Sequence, residues 1–187
     1  MPAPDGRLLG RLGGFWDRLE QTTVGLLGLI ALAVGLIQVI GRYLDPAHAI
    51  GSAEEVIVYL VIWAIMLVSS QLVRTDGHVR PDLVLRLLGP GAQRWVECFN
   101  CAVALLFCAG MVWYGWEIVD TAVLIDERSS TDLQFPMWIY YLALPVGGGL
   151  MAVRYLIRLA RFAFAFDPAT MSVGHSIEAE RPLDMLD

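Results

Sequence analysis

No lysine occurs in the 187 residues, so 13 arginines carry all the positive charge against 19 acids. Charged side chains are only 17% of the sequence, where soluble domains carry about 25%, and apolar ones reach 57%. That shortage of charge excludes an ordinary soluble globule. The high apolar share excludes disorder for the bulk of the chain, because a disordered chain needs low hydrophobicity. A formal charge of −6 argues against nucleic acid as a partner, since phosphate binding depends on basic patches. What is plentiful is aromatic: six Trp and six Tyr, the side chains that settle at a membrane–water boundary.

Four stretches contain no Asp, Glu, Arg or His: residues 21–41, 56–73, 98–116 and 133–153. A hydrocarbon core of roughly 30 Å takes about 20 helical residues, so each stretch can cross once. Lipid offers no partner for an unpaired backbone group, which makes helices the required form. Strands of a membrane barrel would alternate apolar and polar residues, and these stretches do not. The first stretch follows Arg7, Arg11 and Arg18 as a signal peptide would, but its apolar run exceeds the roughly 7–15 residues of a signal core. It is therefore read as a retained span.

The fold class expected is an all-α integral membrane protein with four transmembrane helices. Eleven arginines flank the spans on one side, and only Arg42 and Arg128 lie on the other. The positive-inside rule then puts both termini in the cytoplasm. The chain divides into a cytoplasmic segment 1–20, a four-helix membrane domain 21–153, and a cytoplasmic segment with a polar tail, 154–187. In the loop after the second span, Pro81 to Leu88 reads as a short amphipathic helix closed by Gly89-Pro90-Gly91 and lying against membrane lipids.

Sites of chemistry are scarce. His48, His78 and His175 all fall outside the spans, so a haem between the helices has no axial ligand. Intramembrane ionisable groups mark ion and proton pathways, and the four stretches hold none. No catalytic, cofactor-binding or metal residue is assigned. Ser52 to Glu55 has the spacing of a capping box, which accounts for one of the two acids Glu54 and Glu55. Cys98 and Cys101 suggest a membrane thiol oxidoreductase as the alternative function. Those cysteines sit at the cytoplasmic end of the third span, however, and Cys101 and Cys108 are seven apart, as two packing positions would be. Gly25, Gly28, Ala31, Gly35, Ser69, Ser70 and Gly147 to Gly149 are read as points of close helix approach, and Pro145 as a kink.

Between Arg42 and Arg154 the order of motifs resembles the small membrane subunit of tripartite ATP-independent periplasmic (TRAP) transporters, the DctQ type. Arg42-Tyr43 closes span one, Glu54-Glu55 opens span two, and Tyr59 and Trp63 follow. Arg74 precedes Gly77-His78-Val79-Arg80-Pro81-Asp82, which is the most specific segment. Before span four come Ser129-Ser130-Thr131, Pro136-Met137-Trp138, Tyr141 and Pro145-Val146-Gly147, with Arg154 after it. Pro81 and Ser69-Ser70 depart from the family pattern. The resemblance implies an inner-membrane scaffold beside a large multi-span permease subunit, in sodium-coupled uptake of a carboxylate-bearing solute delivered by a periplasmic substrate-binding protein. It also implies a partner-interface or structural role for Arg42, Glu54, Glu55, Tyr59, Trp63, Arg74, His78, Asp82, Trp138 and Arg154.

Overall fold

The computed structural model describes residues 5–44, 51–74 and 89–164. They form five helices: α1 (Asp5–Leu44), α2 (Ala53–Arg74), α3 (Pro90–Leu124), α4 (Met137–Tyr141) and α5 (Ala143–Phe164). Four helical segments are long and apolar enough to cross a membrane, with α4 and α5 together making the fourth. The all-α four-span reading therefore holds. The expected interfacial helix at 81–88 lies outside the described residues. Gly89 and Pro90, read as the end of that helix, instead open α3, with Gly89 in extended conformation and Pro90 in the first turn. Proline suits that place because its missing N–H is one the helix could not have bonded anyway.

Two helices outrun their apolar stretches. At 1.5 Å per residue, the 40 residues of α1 and the 35 of α3 measure about 60 and 52 Å, well beyond a hydrocarbon core of roughly 30 Å. Helix α1 thus begins long before residue 21, and it does so through Gly13-Gly14, a pair of poor helix formers.

Helix α1 packs on α2, α2 on α5, and α5 on α3. The buried and half-buried positions of α1 include Asp17, Glu20, Val24, Leu27, Ala31, Val34 and Gln38, recurring every three to four residues along one side of the helix. In α3 the buried line runs through Gln93, Glu97, Cys101, Cys108, Gly115, Val119 and Ala122. Many buried side chains are small, and in lipid such residues let helix backbones approach closely. Leu26, Leu29, Leu32 and Leu36 of α1, and Phe99, Val103, Leu106 and Phe107 of α3, face outward, as lipid or a partner subunit permits.

The fourth span is broken at Leu142. Pro145 cannot donate to the carbonyl four residues back and crowds it, so the expected kink falls where that residue puts it. Ordinary helical bonds resume at once, Leu142 N–H to Trp138 and Val146 N–H to Leu142. Gly147 and Gly148 then allow α5 to nestle against α2 and α3. A Cβ at Gly147 would lie 2.7 Å from Cβ of Met66, and one at Gly148 would lie 3.2 Å from Cβ of Met111. The α1 glycines differ. Gly35 has only Ile57 at ordinary contact distance, and Gly25 and Gly28 face open space, so they are not points of approach within this chain.

That contrast gives opposite expected signs for one substitution. Gly147→Ala should destabilise the bundle by about 1–3 kcal/mol through overpacking against a rigid Cβ. Gly28→Ala should be neutral or stabilise by up to about 1 kcal/mol through helix propensity. Thermal unfolding of the purified variants in detergent checks both.

Candidate functional site

The arginine-rich end of the bundle holds a buried cluster of charge. Arg154 of α5 lies between α1 and α2. Its Nε donates to Ser70 Oγ at 2.8 Å, and its Nη2 reaches Asp17 at 3.1 Å and also pairs with Glu20. Ser70 in turn donates to Glu20 at 3.1 Å, as does the Trp16 indole at 2.7 Å. Arg74 at the end of α2 closes on Asp17 from outside. The Trp16 ring lies under the Arg154 guanidinium, 5.6 Å from its centroid, so a cation–π contact adds to the ion pairs. Glu20 is only 5% exposed. A carboxylate that buried is tolerable only because every donor around it is aimed at it.

A second set joins α3 to α5 at the same end. Arg158 pairs with Glu97 at 3.1 Å, and Arg94 Nε donates to the Phe162 carbonyl at 3.0 Å, with a further bond to Ala163. These are last-turn carbonyls that α5 leaves without helical partners, and a cation there also suits the negative end of the helix dipole. The interior is therefore less free of charge than the four uncharged stretches suggest. Asp17, Glu20, Glu97, Arg94 and Arg158 belong to the bundle because its helices extend past those stretches.

The opposite end is organised around Glu55. Its carboxylate accepts from the hydroxyls of Tyr59 and Thr131. Tyr59 also points at the Met137 sulfur at 3.2 Å, and its ring stacks near Phe135 and Tyr140, with centroids 5.0 and 4.8 Å away. Trp63 donates to the Ile139 carbonyl at 3.2 Å, beside the break in the fourth span. Tyr141 donates to Glu127 at 3.1 Å. Together these contacts fasten α2 to the connection between α3 and α4. Glu55, expected to cap its own helix, instead reaches across to that connection, while Glu54 accepts only a 3.2 Å bond from Gln38 of α1.

The residues singled out from sequence thus separate. Arg74 and Arg154 meet at one end, and Glu55, Tyr59 and Trp63 at the other. Arg42 is exposed at the end of α1, with no contact to Glu54 or Glu55 among the described residues. Trp138 is partly exposed at the start of α4, and His78 and Asp82 lie outside the described residues. Sequence reasoning missed Asp17, Glu20, Ser70, Glu97 and Arg158. The available signal was an acid on the arginine-rich flank: each of Asp17, Glu20 and Glu97 has found an arginine. Ser70, read as a small packing residue, is a hydrogen-bonding hub with no exposed surface. Among the described residues no group of His, Cys, Asp and Glu could hold a metal. Cys101 and Cys108 are buried thiols, in no disulfide, on the packing line of α3.

The family described as "Tripartite ATP-independent periplasmic transporters, DctQ component" matches residues 17–165, a span that takes in both charge clusters. The C4-dicarboxylate TRAP transporter small permease protein DctQ of Rhodobacter capsulatus is 30% identical over 114 residues, 61% of this chain and 48% of that protein. The isethionate TRAP transporter permease protein DctMQ of Oleidesulfovibrio alaskensis is 30% identical over 141 residues, 73% of this chain but 22% of that protein. This chain thus matches about half the length of one relative and about a fifth of the other. It is a multi-pass membrane protein that belongs to the DctQ component family of the tripartite ATP-independent periplasmic transporters.

Proposed function

We propose that this chain is the small, non-catalytic membrane subunit of a TRAP transporter, a scaffold for a large permease subunit in the bacterial inner membrane. Arginine asymmetry supports cytoplasmic placement of both termini, with the Arg154 cluster on the cytoplasmic side and Glu55 on the periplasmic side. The solute is a small carboxylate-bearing molecule, taken up with sodium and delivered by a periplasmic substrate-binding protein. Among the residues considered as partner contacts, Arg42, Glu54 and Trp138 keep exposed surface at the rim.

The observation that carries the reading is how the charge is used. In the described residues, the buried acids and arginines are spent on one another and on the ends of helices, at one level of the bundle. A solute anion or a coupling cation needs fixed dipoles or charges directed at it from near mid-membrane, and among the described residues no charged side chain lies between the two clusters. The match of this small chain to about a fifth of a DctMQ permease supports a place beside a much larger membrane partner. Reconstituted alone in liposomes with a sodium gradient, the chain should pass no solute even when the binding protein is supplied. Solute-dependent flux by the chain alone would overturn the scaffold reading.

A further inference from the structure

Helix α1 is held to the bundle by different means from the other spans. Gly147 and Gly148 seat α5 against α2 and α3, and a Cβ at Gly115 of α3 would lie 2.9 Å from Cδ of Pro145. Val73 of α2, Cys108 of α3 and Met151 of α5 close one hydrophobic core, with Met111, Ala152 and Tyr155 packed against it. Three helices share that core, and α1 contributes no residue to it among those described.

The packing of α1 is loose. Ala31 is its one buried apolar residue among those described, and a Cβ at Gly25 or Gly28 would meet nothing within 4 Å. Lipid is as apolar as the side chains, so a loosely packed membrane helix gains little from hydrophobic association and relies on polar bonds. The polar bonds described between α1 and its neighbours stand at its two ends. At one, Asp17 and Glu20 hold Arg154, Ser70 and Arg74, all but Arg74 largely buried. At the other, Gln38 Nε2 makes a single exposed bond to Glu54 at 3.2 Å, and only eight residues (45–52) join α1 to α2.

We infer that α1 is a hinged strap. The contacts of Asp17 and Glu20 with Arg154 and Ser70 latch it to a core of α2, α3 and α5. Opening the latch swings α1 away from α2 about its tethered end, while the core stays shut.

The swing needs no unfolding, because a membrane helix that leaves its neighbours keeps its backbone hydrogen bonds within itself. Glu20 and Gln38 lie about 27 Å apart along α1, so a tilt of roughly 20°, ordinary for a membrane helix, carries the latch about 10 Å. The device gives the chain one movable edge on an otherwise fixed body.

The test measures distances between pairs of spin labels on the full chain in liposomes, with the native cysteines replaced by alanine. Labels go on exposed positions: Thr22→Cys with Leu72→Cys across the latch, Leu72→Cys with Phe99→Cys across the core, and Val39→Cys with Val58→Cys at the tethered end. Asp17→Asn, Glu20→Gln and Arg154→Gln together remove the latch without stranding a buried charge. In that variant the Thr22–Leu72 distance should gain a component about 10 Å longer, with the other two distances as in the latched chain. An unchanged Thr22–Leu72 distance would show that packing alone holds α1, and overturns the inference. Lengthening of all three distances would show one cooperative bundle with no separate strap, and overturns it as well.

Discussion

Replacing Arg154 by alanine should cost the bundle about 3–5 kcal/mol, because it leaves Glu20 buried without its counter-charge. The same side chain holds Ser70 and Asp17, so one substitution unfastens α5 from both α1 and α2. Arg74→Ala should cost about 1 kcal/mol or less, since Arg74 is half exposed and surface pairs contribute little. Coupling gives the sharper reading. In a Glu20→Gln background, Arg154→Ala should lose much of its effect, because the charge it would strand is already gone. Denaturation of the four variants in detergent measures this cycle. Additive losses would mean that Arg154 acts by packing alone.

The second large effect is expected at the other end. Glu55→Ala removes the acceptor shared by Tyr59 and Thr131, and a hydrogen bond to a charged group contributes about 1.5–3 kcal/mol. If that energy holds the connection 125–136 against α2, its open population should rise by roughly tenfold to a hundredfold. Arg128 is the one basic residue on that connection, and its backbone bridges to Pro136. Trypsin offered to the Glu55 side of the bundle should therefore cut after Arg128 correspondingly faster in Glu55→Ala. Glu54→Gln, touching only the bond from Gln38, should cleave as the parent does. Equal rates in all three would show that the connection is held by its own turn bonds.

These two clusters also show what the sequence made legible. The spans could be read because lipid imposes a length and forbids charge, and both constraints are written in consecutive residues. The break at Leu142 was likewise local, a consequence of Pro145 alone. Pairings between helices were not legible. Asp17 and Arg154 are 137 residues apart, and nothing near either one names the other. The uncharged stretches also placed helix ends too early. Gly13 and Gly14 are poor helix formers, yet α1 runs through them, and tertiary bonds at Asp17 and Glu20 offset their propensity cost of about 1 kcal/mol each. Glu54 and Glu55 looked alike in sequence, and only the fold assigns one to a rim bond with Gln38 and the other to the joint with Thr131.

The central claim, that this chain supports transport without performing it, is tested most directly by co-reconstitution. The chain and a large TRAP permease subunit would be placed in liposomes separately and together, and sodium-driven uptake measured with the binding protein outside. Full uptake should require the large subunit in every case. Adding the chain should raise uptake without changing which solute is taken, and the Arg154→Ala chain should raise it less. A solute preference that changes with substitutions in this chain, or uptake that the chain supports without the large subunit, would contradict the account.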